Sequence, residues 1–307
     1  MDTNIIHTGD CFDVLPTLPD ESVHMVMTSP PYWNLRDYDH DDQLGLEPES
    51  EQYVQNIANV FDEVKRVLRH DGSLWLNLGD TYDDKDLQQI PARVALELQN
   101  RGWILRNRVT WAKPNPTPQS VKDRLNDTTE AVFHFVKRGK YWYDLDVIRE
   151  PHAIRTQKQM DSMDESEKSR MKSEYTHYAD NNLDERINNA TGNQAGQSHP
   201  SGKNPGDVFE VTTKPFPDAH FAVYPPELCE KPIKATCPPD GVVLDPFTGA
   251  GTTLLKAKEL DRQFVGIELN SKYADMARAR VGIDVKDPSN IRDDAGQSGL
   301  EAYKVTQ

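Results

Sequence analysis

The stretch VVLDPFTGAGTT, residues 242 to 253, limits the fold more than any other part of the chain. Its apolar start reads as a buried strand with Asp245 at the tip, Gly249 and Gly251 as a sharp turn, and the residues from Thr252 as a helix N-terminus. A strand that passes through glycines directly into a helix is half of a βαβ unit, which requires a parallel sheet with helices on its faces. The same turn leaves backbone N–H groups uncovered beneath a ligand. No Gly-Lys-Ser/Thr follows, which argues against nucleoside triphosphate cleavage, and the dinucleotide fingerprint GxGxxG fails at Leu254, which weakens a nicotinamide reading.

The rest of the chain alternates in keeping with such a sheet. Residues 4 to 10 and 22 to 29 read as strands, and the spacing of Tyr53, Ile57, Val60, Phe61, Val64 and Leu68 predicts a helix from Ser50 to Arg69 that stops at Asp71-Gly72. A buried strand follows from Ser73, then a helix over roughly 86–100, and a strand pair over 103–113 and 130–139. Residues 151 to 206 contain few apolar positions and read as an insertion outside the core. Strand and helix return over 241–260, followed by a strand at 263–270 and a helix from Ser271 to Val281. An α/β fold is expected.

The formal net charge of −15 over 307 residues excludes a protein coated in basic residues, so any nucleic-acid surface has to be local. One such stretch exists: Arg101 to Lys140 holds nine Lys or Arg against three acidic residues. The three cysteines, Cys11, Cys229 and Cys237, lack metal-type spacing, and no metal site is expected. No apolar run approaches the roughly 18 residues of a membrane span, so a cytoplasmic protein is expected.

At residues 28 to 32 the chain reads Thr-Ser-Pro-Pro-Tyr. Two prolines fix two φ angles and remove two donors, so the preceding strand ends rigidly. Ser29 Oγ and the Pro30 carbonyl then become fixed acceptors beside the Tyr32 ring. Taken alone, a Pro-rich loop after a buried strand reads equally well.

Together these segments resemble the amino-group DNA methyltransferases that use S-adenosyl-L-methionine. TSPPY is similar to their catalytic motif and LDPFTGAGTT to their cofactor motif, and the order, catalytic motif first and cofactor motif last, is that of the permuted β group. GSLWLNLGD, WAKPNPTPQSVKDR with the later Glu130, and HFAVYPPEL extend the likeness over nearly the whole chain. The resemblance implies a Rossmann-like class I methyltransferase sheet, circularly permuted, seven-stranded, with a polar target-recognition insertion. Residues 1–143 would form the catalytic part, 144–206 the insertion, 207–283 the cofactor-binding part and 284–307 a loose tail. Ser29, Pro30, Pro31 and Tyr32 would be catalytic. Asp10, Phe221, Tyr224, Asp245, Phe247, Gly249, Gly251, Thr252 and Glu268 would hold the cofactor, with Asp10, Asp245 and Glu268 lining one pocket. Lys113, Asn115, Lys122 and Arg124 would contact double-stranded DNA, and a cognate restriction endonuclease is a companion of such enzymes. Serine at the head of the tetrapeptide points to the N4 amine of a flipped-out cytosine, with adenine N6 the alternative and a non-catalytic DNA-binding regulator the more distant one. Cytosine C5 chemistry needs an attacking cysteine, and Cys237, followed rather than preceded by proline, reads as a loop residue.

Overall fold

The computed structural model describes residues 1–38, 40, 42–152, 162, 164–169, 199, 201–213 and 223–287. Contacts divide the chain into two compact units, 1–143 with 207–307, and 144–206. The first contains an eight-stranded mixed sheet.

In chain order its elements are β1 (Ile5–Thr8), α1 (Cys11–Val14), β2 (Val23–Thr28), α2 (Ser50–Val67), β3 (Leu68–Leu78), the short pair β4 (Tyr82–Asp83) and β5 (Asp86–Leu87), α3 (Ile90–Asn100), β6 (Ile104–Ala112) and β7 (Thr129–Val136). After the second unit come β8 (Val208–Glu210), α4 (Pro226–Thr236), β9 (Val242–Asp245), α5 (Thr252–Glu259), β10 (Gln263–Glu268) and α6 (Ser271–Val281). The order across the sheet is β1-β10-β9-β2-β3-β7-β6-β8, parallel from β1 through β3 and antiparallel at β3–β7 and β7–β6. Strands β9 and β10, last in sequence, sit between β1 and β2, so the amino-terminal strand completes a half-sheet begun near the other end of the chain.

Alternation along the strands makes three layers. Val26, Val242, Leu244, Val265 and Ile267 face α2 and α3, whereas Met25, Met27, Val243 and Phe264 face α4, α5 and α6. The helices cover both faces, and the carboxyl ends of the parallel strands are left for a site.

Four expectations need correction. The sheet has eight strands rather than seven, because Val208–Glu210 pairs in parallel with Thr110–Ala112 at the edge. Helix α2 ends at Val67, not at Arg69, because Leu68 turns directly into extended backbone. Asp71-Gly72 lies inside β3 at an irregularity against β2, where a Cβ on Gly72 would stand 2.8 Å from the His24 carbonyl. The glycine serves this close strand contact rather than a helix stop. Residues 86–89 do not begin α3: Asp84 and Lys85, both at positive φ, form a tight turn between β4 and β5. The helix starts at Ile90, whose N–H donates to Asp80 Oδ1 at 3.0 Å, with Pro91 in its first turn.

The first residues of the expected loose tail are tied down: the Lys286 and Asp287 amides donate to the Asp275 carboxylate at 3.0 and 3.1 Å. Residues 288–307 and most of 153–200 lie outside the described residues. In the second unit, Glu150 and Lys203 form an antiparallel bridge. Among the described residues no helix is long and apolar enough to cross a membrane.

Candidate active site

Two groups of side chains meet at the carboxyl ends of the parallel strands. The first surrounds an open cleft. Strand register brings its acids together, because Thr8 stands beside Glu268 and Gly266 beside Asp245. Asp10, Tyr224, Phe247, Gly249, Thr252 and Glu268 line the cleft. Asp10 also caps α1, accepting from the Phe12 amide at 2.8 Å. Glu268 accepts the Gly249 amide at 2.7 Å on one oxygen and the Asn270 amide at 2.9 Å on the other.

Asp245 differs from the expectation. It is 1% exposed and lies beneath the cleft, where it accepts Thr28 Oγ1 at 2.6 Å and the Phe247 amide at 3.1 Å. The Tyr224 hydroxyl approaches it at 3.4 Å and also meets Thr253 Oγ1. Gly251 sits behind the cleft as the N-cap of α5, and Phe221 lies outside the described residues. Among the described residues, neither Asp245 nor Glu268 forms an ion pair. Burial is the main cause that pushes Asp245 up to about 6 and Glu268 up to about 7. Two acids kept without a cation beside an apolar wall fit a ligand that brings a positive charge and hydroxyl donors. S-adenosyl-L-methionine is such a molecule, and Asp245, Tyr224 and Glu268 would hold its charged and hydroxyl-bearing parts.

The second group is built on Ser29-Pro30-Pro31-Tyr32, which leaves the end of β2. The Ser29 hydroxyl donates to the Tyr32 hydroxyl at 3.0 Å, and Tyr32 in turn donates to Glu130 Oε2 at 2.7 Å. Asn77 Nδ2 lies 2.7 Å from the Tyr32 hydroxyl, 2.8 Å from Glu130 Oε2 and 3.3 Å from Ser29 Oγ. Lys113 ion-pairs with the other oxygen of Glu130 and lies 4.7 Å from the centroid of the Trp111 ring. The Pro31 carbonyl is taken by the Tyr53 hydroxyl at 2.8 Å. No hydrogen bond from a described residue reaches the Pro30 carbonyl. Burial, then the Glu130 charge, holds the Tyr32 phenol well above its ordinary range, so it stays a donor. The ring packs on Gly79, where an added Cβ would stand 2.4 Å from it.

Asn77, Gly79 and the tie from Glu130 to Tyr32 are the parts that sequence reading missed. Asn77 has one visible signal, a polar residue inside an otherwise apolar buried run. Trp33, beside the motif, is buried with its indole N–H on the Glu47 carbonyl at 2.8 Å, so it packs.

The four residues expected to contact DNA have different surroundings. Lys113 belongs to the Glu130 pair. Asn115 clamps Thr213, donating to its carbonyl at 2.8 Å and accepting its amide at 2.9 Å. Arg124 lies 4.0 Å from the Tyr82 ring centroid and bonds Asp127 at 2.9 Å. Lys122 is exposed. All three cysteines are buried; burial raises each thiol, that of Cys237 to about 12, so none is a ready thiolate. Among the described residues no His, Cys, Asp or Glu cluster is arranged to hold a metal ion.

Comparison with known proteins gives the family and the fold. The profile of the N6/N4 methyltransferases, described as DNA methylase, matches residues 23–279. The type II methyltransferase M.XycI of Xanthomonas campestris pv. cyanopsidis is 37% identical over 302 residues, covering 89% of this chain and 86% of its own. M.SfiI of Streptomyces fimbriatus is 34% identical over 372 residues, with 87% and 88% covered. In fold, the chain is similar to the PvuII DNA methyltransferase (cytosine-N4-specific), with a TM-score of 0.66 at 19% identity over 99% of this chain and 92% of that one. It is also similar to a putative DNA modification methylase of Thermus thermophilus solved with S-adenosyl-L-methionine, with a TM-score of 0.57 at 24% identity over 92% and 94%. With the family model matched over residues 23–279 and relatives 34% and 37% identical over 87% and 89% of its length, the chain belongs to the N6/N4 family of DNA methylases.

Proposed function

We propose that this protein transfers a methyl group from S-adenosyl-L-methionine to the N4 amine of a cytosine turned out of duplex DNA, as the modification half of a type II restriction-modification pair acting on cytoplasmic DNA. The observation that carries the amine-methylation reading is the direction of the hydrogen bonds around Ser29. Its hydroxyl hydrogen goes to Tyr32 and Tyr32's to Glu130, so toward a base amine Ser29 Oγ acts as an acceptor, with Asn77 Nδ2 at 3.3 Å on it as well.

That pair of acceptors answers a specific difficulty. The lone pair of an exocyclic amine is delocalised into the base ring, which leaves it a weak nucleophile. Ser29 Oγ and the Pro30 carbonyl accept the two amine hydrogens, return electron density to nitrogen and stabilise positive charge where it develops. S-adenosyl-L-methionine, when bound, supplies an electrophilic methyl group. Asp245, Tyr224 and Glu268 orient it, with Asp10, Phe247, Gly249 and Thr252 forming the walls, and Gly251 starts the helix behind them. Rigid placement of both partners contributes much of the rate. Because the amine is inside the duplex, the base has to leave the stack, and Tyr32, fixed by its hydroxyl and by Gly79, offers the plate that receives it.

Serine supplies one uncharged oxygen, a softer acceptor than aspartate, and cytosine is the smaller base to seat beside Tyr32. Digesting modified DNA to nucleosides and separating them by mass tests the reading. N4-methylcytosine is expected. N6-methyladenine as the sole product would refute the serine argument and leave the acceptor mechanism in place, whereas 5-methylcytosine would overturn both. Residues 144–206 carry target recognition in this proposal, and exchanging them for a relative's segment should change the methylated sequence without loss of cofactor binding.

A further inference from the structure

The loop between β6 and β7 carries Leu125 with 89% of its surface exposed, the highest exposure among the described large hydrophobic residues. A lone exposed leucine means little by itself. What distinguishes this one is that the chain around it is fixed. The Arg124 guanidinium donates to the Leu125 carbonyl at 2.9 Å, to Asp127 at 2.9 Å and to Gln119 at 3.2 Å, while lying 4.0 Å from the Tyr82 ring centroid. Asp123 accepts from Lys85 at 2.7 Å and Asp127 from the Tyr82 hydroxyl at 3.4 Å, so the loop is tied to the β4–β5 hairpin on both sides of the leucine. Pro114, Pro116 and Pro118 stiffen its first half. An apolar side chain is thus held out into solvent by polar bonds that prevent it from folding back.

The loop also stands at the working end of the sheet. It leaves β6 at Ala112, next to Lys113, and enters β7 at Thr129, next to Glu130, the acid that holds the Tyr32 hydroxyl and pairs with Lys113. Lys122, exposed three residues before the leucine, offers positive charge suited to a phosphate. The geometry points to Leu125 as a wedge that enters the base stack of duplex DNA beside the target nucleotide and keeps the vacated space closed while the base occupies the catalytic pocket. Leucine is one of the side chains that part base steps in this way. The inference rests on the proposed extrusion of the base and names the residue that assists it.

The test compares Leu125→Ala with wild type on two duplexes that contain a site first identified by sequencing modified bases. In one the target base is paired; in the other it faces an abasic position and costs far less to extrude. The variant should lose about tenfold or more in kcat/KM on the paired duplex and stay within about twofold of wild type on the other, with Leu125→Met near wild type on both. Equal activity of Leu125→Ala and wild type on the paired duplex would overturn the wedge. So would an equal loss on both duplexes, which would mark Leu125 as a docking contact only. Wild-type enzyme that showed no preference for the abasic-opposed duplex would overturn base extrusion, and the wedge with it.

Discussion

The two acid-bearing regions at the end of the sheet are finished differently. Around Tyr32 the charge balance is internal: Glu130 has Lys113 on one oxygen and Tyr32 and Asn77 on the other. Around the cleft, Asp245 and Glu268 receive hydroxyl and amide donors but no cation from the described residues, and both are pushed up toward neutral pH by burial. The first region is complete before any ligand arrives, as a catalytic clamp must be to hold its geometry during the reaction. The second is left electrostatically unfinished, and a cationic ligand completes it. In the proposed function, rigidity is built where the chemistry would happen, and an unmet charge is kept where the cofactor would bind.

The largest effect should come from breaking the clamp while sparing the cleft. Tyr32→Ala removes the plate and the acceptor of Ser29's hydrogen, and kcat should fall by about 10²–10³, the scale for loss of one preorganised transition-state contact. Gly79→Ala should approach that loss, because its Cβ would stand 2.4 Å from the Tyr32 ring. Calorimetric affinity for S-adenosyl-L-methionine should stay within about twofold of wild type in both. A parallel loss of affinity would show that the two regions are not separate.

Glu268→Gln probes the unfinished region. It removes a charge-assisted contact of about 1.5–3 kcal/mol, which corresponds to roughly ten- to 150-fold in the dissociation constant. The variant's kcat at saturating cofactor should change little. If affinity were unaffected, the assignment of Glu268 to the cofactor would fail.

A third effect concerns stability. Lys113→Met strips Glu130 of its cation at a site where the two side chains are 19% and 16% exposed. Removing one member of a fully buried pair costs about 3–5 kcal/mol, and partial exposure brings the expectation to about 2 kcal/mol in denaturant unfolding. Adding Glu130→Gln should restore most of that stability without restoring activity. A double variant as unstable as the single one would mean that Lys113 acts through packing on Trp111.

These regions were not equally legible in the sequence. The elements of the proposed cofactor side could be read because they are local: strand, glycine turn and helix follow one another within 242–253, and α6 runs from Ser271 to Val281 as expected, with Asn270 capping the Lys272 amide. The clamp depends on register. Asn77 meets Glu130 because β3 and β7 pair antiparallel with Asn77 opposite Val132, and the sequence does not state that alignment. The pairing of Lys113 with Glu130 is hidden for the same reason, since the two lie 17 residues apart across a loop. β8 was missed because three residues are too few for a period-2 pattern to stand out from the polar stretch before them.

The smallest predicted effect is the dependence of cofactor binding on pH, which sharpens the contrast most directly. Ordinary carboxylates in an unfolded chain titrate near pH 4, whereas Asp245 and Glu268 are raised to about 6 and about 7 in the fold. Between those values the folded protein binds more protons than the unfolded one, so these two groups make its ligand-free stability highest at low pH and erode it as pH rises through the window. The cofactor imposes the opposite sign, because its cationic and hydroxyl groups require charged acceptors. Binding should release protons, and affinity should rise about tenfold from pH 6 to pH 8, most of it through Glu268. Calorimetry in two buffers of different ionisation enthalpy reads the proton release directly. Glu268→Gln should flatten most of the slope, while Glu130→Gln should leave it intact, since that acid already has its cation in Lys113. A slope that vanished in Glu130→Gln instead would place the titrating acid in the clamp and reverse the division of labour between the two regions.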